Sequence, residues 1–270
     1  MPSLSPTSLH VPPPTPMTNA RVSMFEGATN TNIINSHFTI TNGNGQQIGH
    51  SRGLEMLLEH CCLGARLDSN ERFDPPRCAE DTRVAITQHI MDWIASADDD
   101  GASMLVLHGS AGAGKSALEQ SISERCQREG YLGAAFFLSR TATSAQRSNG
   151  DTVIPTIVYQ LIQIFPWLRH LVLREIEDDP SIFQLSRAGI MHRLFIKYFK
   201  DHFAQFPGDT YKRPCLIAID GLDECSDCDV QCDLLKIIAS AVHDVPYPFR
   251  FFVACRPESH LMAALSRELS

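Results

Sequence analysis

The sequence lacks a long hydrophobic run, because uncharged stretches such as CLIAI and FFVAC are strand-sized and fall far short of the ~18 residues of a membrane-spanning helix. The first residues, MPSLSPTSLHVPPPTP, have neither a basic start nor an apolar segment, which predicts that they are not a secretory signal. Basic charge is also scarce: 23 Lys and Arg stand against 31 Asp and Glu, a net charge of −8. This balance disfavours nucleic acid as a main partner, and nothing indicates a membrane.

Histidine clusters and regular cysteine spacings are missing as well. The eleven histidines show no H-x-x-x-H or H-E-x-x-H pattern, so hydrolytic zinc chemistry has no support. The nine cysteines are an odd number within mostly apolar patterns, which favours reduced thiols in the cytoplasm. Cys225, Cys228 and Cys232 form C-x₂-C-x₃-C, but a fourth zinc ligand has only scattered candidates, so we interpret them as thiols on a loop and a helix start.

Composition divides the chain into three parts. Residues 1–24 form a Pro-rich leader that we predict to be disordered. Residues 25–80 form a preamble: polar–apolar alternation over residues 37–41 meets an Asn-Gly-Asn-Gly turn signal, which predicts a hairpin or single strand, and a helix follows over residues 53–62. Short apolar strands alternate with helices over residues 81–270, which predicts an α/β layer fold with a mainly parallel sheet.

Apolar periodicity places the elements of this core. The predicted strands are Met104–His108, residues 133–138, residues 215–219 and Phe249–Cys255. The predicted helices are residues 82–97, 116–128, 151–164, 167–177, 187–202 and 229–242, with a last helix starting near Pro257.

The most informative motif is GSAGAGKS, which follows a predicted strand and opens a predicted helix. Gly109, Gly114, Lys115 and Ser116 fit G-x-x-x-x-G-K-[ST], the P-loop pattern. Glycines let such a loop fold back so that successive amides face phosphate oxygens, and the helix N-terminus adds partial positive charge. We therefore predict a phosphate-binding segment made of Gly109, Ser110, Ala111, Gly112, Ala113, Gly114, Lys115 and Ser116. Lys115 would reach the β- and γ-phosphates, and the Ser116 hydroxyl would bind Mg²⁺.

An acidic group should end a second strand at the same sheet edge and hold the metal. Asp220 follows the run CLIAI and would emerge there, orienting Mg²⁺ together with Ser116. Asp223 or Glu224 could then polarise a water for attack on the γ-phosphate. The alternative is that DGLDE is only a solvated turn with a capping aspartate.

Arg256 ends a third buried strand, FFVAC, directly before a proline. Because a residue before proline avoids the helical region, Arg256 should stay extended at the sheet edge. There its guanidinium can reach the γ-phosphate and respond to its presence, although pairing with Glu258 at the surface is the alternative.

The ordered motifs GSAGAGKS, AIDGLDEC and FFVACRPE resemble the NACHT class of STAND P-loop NTPases, and the chain looks most like fungal nephrocystin-like N-terminal NTPase proteins over roughly residues 25–265. The resemblance implies an α/β P-loop NTPase with helices on both faces and strand order 1-4-3-2. It also implies a slowly hydrolysing switch set by bound ADP or ATP, which self-associates through the NTPase domain in innate-immunity-like signalling. Within it, Asp220 is the metal aspartate, Asp223 and Glu224 are the acidic pair, and Arg256 is the sensor arginine.

The chain also departs from those relatives, which continue into a further strand, a lid and repeats, so we expect a C-terminally incomplete member without the last strand and lid. Three functions therefore stay open: a nucleotide switch with weak ATPase or GTPase activity, a non-hydrolysing scaffold or decoy with the same fold, and a metabolic P-loop kinase. The kinase is least favoured, since no Arg-rich segment stands where a lid should be. Adenine is the default base, with GTP left open.

Overall fold

In this computed structural model the chain divides into two units, residues 1–49 and residues 50–270. The described elements of the first unit are two strands of two residues each. Ile40–Thr41 (β1) and Gln47–Ile48 (β2) pair antiparallel, where the sequence predicts a hairpin or a single strand. The structure describes residues 40–41, 47–48, 51–79, 81–96, 103–142, 144–206, 214–245 and 249–268. The predicted leader, residues 1–24, lies outside these ranges.

Four parallel strands form the central sheet of the second unit. They are Met104–His108 (β3), Leu132–Phe137 (β4), Cys215–Asp220 (β5) and Phe249–Cys255 (β6). Their order is β3-β6-β5-β4, and every neighbouring pair is parallel. The predicted order 1-4-3-2 is thereby confirmed, because the strand that precedes Arg256 lies between the P-loop strand and the strand of Asp220. This is the sheet of a P-loop NTPase-like fold.

Helices lie along both faces of this sheet, and we number them in chain order. The helices are Arg52–Glu59 (α1), Val84–Ala95 (α2), Lys115–Glu129 (α3), Val153–Ile164 (α4), Pro166–Asp178 (α5), Arg187–Met191 (α6), Lys197–Gln205 (α7), Cys228–Asp244 (α8) and Ser259–Glu268 (α9). None of the helices in the described ranges is long and apolar enough to cross a bilayer.

Strand alternation divides the core into two layers. Ile217 and Ile219 of β5 belong to the larger cluster, which contains residues of α1, α4, α5, α6, α7, α8 and α9. Leu216 and Ala218 belong to a smaller cluster with apolar residues of α2 and α3. Both faces of β4, β5 and β6 are therefore buried, whereas β3 at the edge of the sheet is partly buried, which explains why the strands read as apolar runs.

Local signals explain where several helices begin and end. Gly130 ends α3 in the left-handed conformation, and the Asp227 side chain accepts the amides of Asp229 and Val230 at the start of α8. Two predicted helices differ from the structure: residues 151–152 form a 3₁₀ turn before α4, and the predicted helix 187–202 is interrupted. A π turn, His192–Ile196, separates α6 from α7.

Candidate phosphate and metal site

The loop between β3 and α3 has the backbone of a phosphate-binding turn. Gly112 (φ 74°) and Gly114 (φ 75°) are both left-handed, a conformation that side chains disfavour. A Cβ on Gly112 would meet no atom within 4 Å, so the backbone angle alone favours glycine there. The Ala113 amide donates to the Ser110 carbonyl at 3.2 Å. The predicted segment 109–114 thus folds back on itself at the N-terminus of α3, where the helix dipole favours an anion.

Lys115 is the first residue of α3 and lies across this loop. Its Nζ donates to the carbonyls of Gly109 (2.8 Å) and Ser110 (3.1 Å). Charge-assisted bonds to phosphate oxygens are stronger than bonds to neutral carbonyls. The Lys115 ammonium therefore lies beside the loop, where it can exchange its two carbonyl partners for the oxygens of a bound phosphate.

Asp220 ends β5 beside Ser116, as the sequence predicts. The Ser116 hydroxyl donates to the Asp220 carboxylate, while Oδ1 is buried and accepts no hydrogen bond from a described residue. Burial raises the pKa of Asp220 to about 6, Ser116 and Arg72 act to lower it, and Glu224 and Asp223 add to the rise. A buried, unpartnered carboxylate oxygen beside a hydroxyl suits Mg²⁺, which prefers oxygen ligands. Ser116 and Asp220 therefore fit the predicted metal.

Glu119 is a second buried acid of the site, and the sequence analysis missed it. Its side chain is fully buried, and the described residues give its carboxylate no hydrogen bond of ordinary geometry, although the backbone of Ile219 lies close enough to lower its pKa. Burial, reinforced by the charge of Asp220, raises the pKa of Glu119 well above its usual range. The sequence feature that could have identified Glu119 is its position one helical turn before Ile122 and Ser123, both of which are buried.

Arg72 brings a cation from the preamble to these acids. It ends the 3₁₀ turn Asn70–Arg72, and its Nη2 donates to Gln120 Oε1 at 2.6 Å. The guanidinium carbon lies 3.3 Å from the centroid of the Phe137 ring. Burial lowers the pKa of Arg72 to about 10, assisted by Arg147, while Asp220 and Glu119 act to raise it.

Asp223 and Arg256, both predicted to act at the γ-phosphate, contact each other. Asp223 Oδ1 accepts the Arg256 amide at 2.8 Å, and Oδ2 lies 3.1 Å from Arg256 Nε. The Asp223 side chain is 5% exposed and that of Arg256 is 48% exposed. Asp223 therefore fixes the backbone at the end of β6, and its charge also acts to raise the pKa of Asp220.

Glu224 is the more accessible member of the acidic pair. It is half-buried, and its Oε2 accepts the amide of Arg140 at 3.1 Å. The Arg140 guanidinium donates to the carbonyl of Cys225 at 2.7 Å, so this arginine fixes the turn that follows Asp220.

Arg83 lies outside the loop of residues 109–114 and stabilises it by hydrogen bonds. It is left-handed (φ 59°) at the N-terminus of α2, and its guanidinium donates to the carbonyls of Ala113 and Gly114. A Cβ on Gly114 would lie within 3 Å of this guanidinium, so a larger residue there would displace the Arg83 side chain in addition to straining the backbone. This contact was also missed, because nothing in the sequence relates Arg83 to residues 30 positions away.

The nine cysteines, all of which lie in described ranges, are free thiols. Across those ranges, no group of three or more His, Cys, Asp and Glu side chains could hold a metal ion. Cys225 is buried whereas Cys228 is exposed. The cysteines of the C-x₂-C-x₃-C pattern therefore form no such metal-binding group within the described ranges.

A family model described as "Nephrocystin 3, N-terminal" matches residues 82–256. The search of curated proteins gave no match. Among solved structures the chain is similar to C. elegans PCH-2, with 11% identity and a TM-score of 0.30. That match covers 68% of this chain and 39% of the PCH-2 chain, so the chain spans well under two thirds of that protein's length.

Proposed function

The chain belongs to the nephrocystin 3 N-terminal family, and on that premise we propose that it is a nucleotide-binding switch that holds ATP or ADP with Mg²⁺. The observation that carries the proposal is the loop of residues 109–114, whose left-handed glycines stand directly before Lys115 and Ser116 at the start of α3. Oδ1 of Asp220, which is buried beside Ser116 and has no hydrogen-bond partner among the described residues, supports the metal.

Each proposed role follows from the position of the group. The loop amides and the N-terminus of α3 bind phosphate oxygens, and Lys115 exchanges its two carbonyl partners for phosphate. Ser116 and Asp220 hold Mg²⁺, which supplies positive charge against the β- and γ-phosphates. Glu224 orients the attacking water, since Asp223 is occupied by Arg256.

The finer part of the proposal is a NACHT-type switch of the fungal STAND kind, active in the cytoplasm in signalling of the innate-immunity type and self-associating through its NTPase domain. It rests on the order of the three motifs along the chain and on the strand order that brings their ends to one sheet edge. Hydrolysis in such a switch is slow, because its output is the bound state and not the product.

Nucleotide binding with and without Mg²⁺ tests this proposal. We expect wild-type protein to bind ATP and ADP more tightly with Mg²⁺ than with EDTA, and Ser116→Ala to lose most of the Mg²⁺-dependent gain while keeping its metal-free affinity. Competition by GTP and GDP in the same assay identifies the base. If wild-type protein binds none of these nucleotides, the proposal is wrong.

A second candidate is a scaffold that retains nucleotide but does not hydrolyse it. The ion pair between Asp223 and Arg256 favours it, because two groups predicted to act at the γ-phosphate are engaged with each other. Single-turnover hydrolysis separates the candidates. A switch predicts that Glu224→Gln slows hydrolysis by about tenfold or more, whereas equal rates in the variant and the wild type support the scaffold.

A further inference from the structure

Arg72 lies outside the residues matched by the family model, yet its charge interacts with that of the candidate metal aspartate, Asp220. Phe137 of β4 is paired in register with Asp220 of β5. Phe137 packs in the cluster on the α2 and α3 side of the sheet, and strand alternation directs Asp220 to that side together with Leu216 and Ala218. The Arg72 guanidinium lies 3.3 Å above the Phe137 ring, so it covers the strand position next to Asp220.

Several contacts fix the guanidinium in that place. Nη1 donates to the Leu67 carbonyl at 3.1 Å, and Nη2 donates to Gln120 Oε1 at 2.6 Å. Gln120 is almost fully buried and adjoins Glu119 in α3. None of these hydrogen-bond partners is an acid, so neutral groups and a ring hold the guanidinium while its charge interacts with Asp220, Glu119 and Glu124.

The two acids need this charge when no metal is bound. Glu119 and Asp220 are both buried, and Oδ1 of Asp220 accepts no hydrogen bond from a described residue. A buried carboxylate is costly unless an opposite charge lies close to it. The positive charge of Arg72 acts to lower the pKa of both acids.

We propose that Arg72 is a positioning residue of the metal site: its guanidinium offsets the charge of Asp220 in the metal-free protein and opposes the divalent cation that Asp220 binds. This inference rests on the proposed metal role of Asp220. It makes the preamble part of the site, because segment 70–78 lies along α3 through Arg72, through the Arg77–Glu124 ion pair (2.8 Å) and through the Cys78 amide on Ser121 Oγ (3.1 Å).

Direct counting of bound Mn²⁺ by electron paramagnetic resonance, on the full chain at pH 8 without nucleotide, tests the proposal. Removing one positive charge close to the metal should tighten Mn²⁺ binding, and we expect Arg72→Gln to bind it about tenfold more tightly than wild type. Arg72→Lys keeps the charge and should stay near wild type. The gain should vanish when Asp220→Asn is combined with Arg72→Gln.

Arg77→Gln is the matched control, since Arg77 also joins the preamble to α3 but is half exposed and pairs with Glu124. We expect it to leave Mn²⁺ affinity unchanged, whereas a gain equal to that of Arg72→Gln would mean that loosening of the segment causes the effect and would overturn the proposal. Arg72→Met keeps the aliphatic stem and replaces Arg72→Gln if circular dichroism shows that the latter does not fold.

Equal Mn²⁺ affinity of wild type and Arg72→Gln, including no binding by either, would also overturn the proposal. The proposed nucleotide function fails by a different observation, namely that wild-type protein binds no ADP in EDTA. The two failures are therefore distinguishable.

Discussion

At the residue scale, the site is a group of charges whose ionisation depends on burial. Asp220 and Glu119 are held in an apolar interior on the same side of the sheet, and both have a raised pKa. Arg72 and the Ser116 hydroxyl act in the opposite direction on Asp220. A site arranged to attract a cation is in this way electrostatically unfavourable until the cation arrives.

This cost predicts that Asp220→Asn stabilises the metal-free protein. A carboxyl whose pKa rises from 3.8 to about 6 on folding favours the folded state most below pH 4, and that contribution is lost as the pH rises through 6. At pH 8 the variant should therefore unfold with a free energy about 1–3 kcal/mol higher than wild type. The difference should fade as the pH drops to 4.

Urea unfolding in EDTA across this pH range measures the effect. The charged groups that act on Asp220 are Arg72, Glu224, Asp223 and, through its own titration, Glu119. Arg72→Gln should lower the free energy of unfolding at pH 8, because it removes the positive charge that compensates Asp220. A less stable Asp220→Asn at pH 8 would contradict the account.

Sequence reasoning reached the residues of the site but not their contacts. It placed Lys115, Ser116 and Asp220 at one sheet edge, because a P-loop and a strand-ending acid have few other arrangements in a parallel sheet. It assigned Asp223 and Arg256 to the nucleotide, since a motif relates each residue to a ligand and not to another side chain. Their pairing depends on how β6 ends beside β5, which no local pattern encodes.

At the element scale, the loop, α2 and α3 act as one unit. Arg83 begins α2 and donates to loop carbonyls, so the start of one helix supports the start of the next. Gly112 and Gly114 share the left-handed conformation but differ in surroundings: space around Gly112 is open, while the Arg83 guanidinium crowds Gly114.

This difference predicts unequal effects of two matched substitutions. Gly112→Ala should cost about 1–2 kcal/mol of unfolding free energy, the cost of a left-handed alanine. Gly114→Ala carries the same backbone cost and also displaces Arg83, so it should be destabilised further. Urea unfolding of both variants measures this, and equal destabilisation would show that the Arg83 contact contributes nothing.

Element positions were predicted well where a single pattern decides them. The four strands of the described sheet are five to seven residues long; β4, β5 and β6 are buried along nearly their whole length and β3 is partly buried, so each reads as an apolar run. The interruption between α6 and α7 escaped prediction because Leu194, Phe195 and Ile196 are consecutive buried residues. Helical periodicity cannot locate the extra residue of a π turn in such a run.

At the scale of the whole molecule, packing continues across the compositional boundary near residue 80. Leu54 and Leu57 of α1 are buried in the larger core cluster, and Leu67 is buried in the smaller one. The amide of Cys62 donates to Thr156 Oγ1 at 2.8 Å in the interior. Composition cannot reveal this, because a short amphipathic helix looks the same whether it packs on the core or stands apart.

Two truncated chains test the extent of the folding unit. Residues 50–270 serve as the reference chain, because the described core begins at Leu54. Residues 80–270 should lose several kcal/mol, since each buried leucine removed contributes about 1.5–3 kcal/mol. That loss is comparable to the whole stability of a typical domain. Thermal unfolding followed by circular dichroism decides, and a cooperative transition of 80–270 at the temperature of the reference chain would refute this prediction.

Equilibrium binding of fluorescent ADP to wild type, Lys115→Ala and Lys200→Ala most directly tests the claim that residues 109–116 bind nucleotide. Lys200 is the control, because its exposed side chain pairs with Asp244 at 2.6 Å on the opposite layer of the fold. The account predicts saturable binding by wild type and Lys200→Ala, with Lys115→Ala weaker by about tenfold or more through the loss of a charge-assisted bond. Equal affinity of Lys115→Ala and wild type would contradict it.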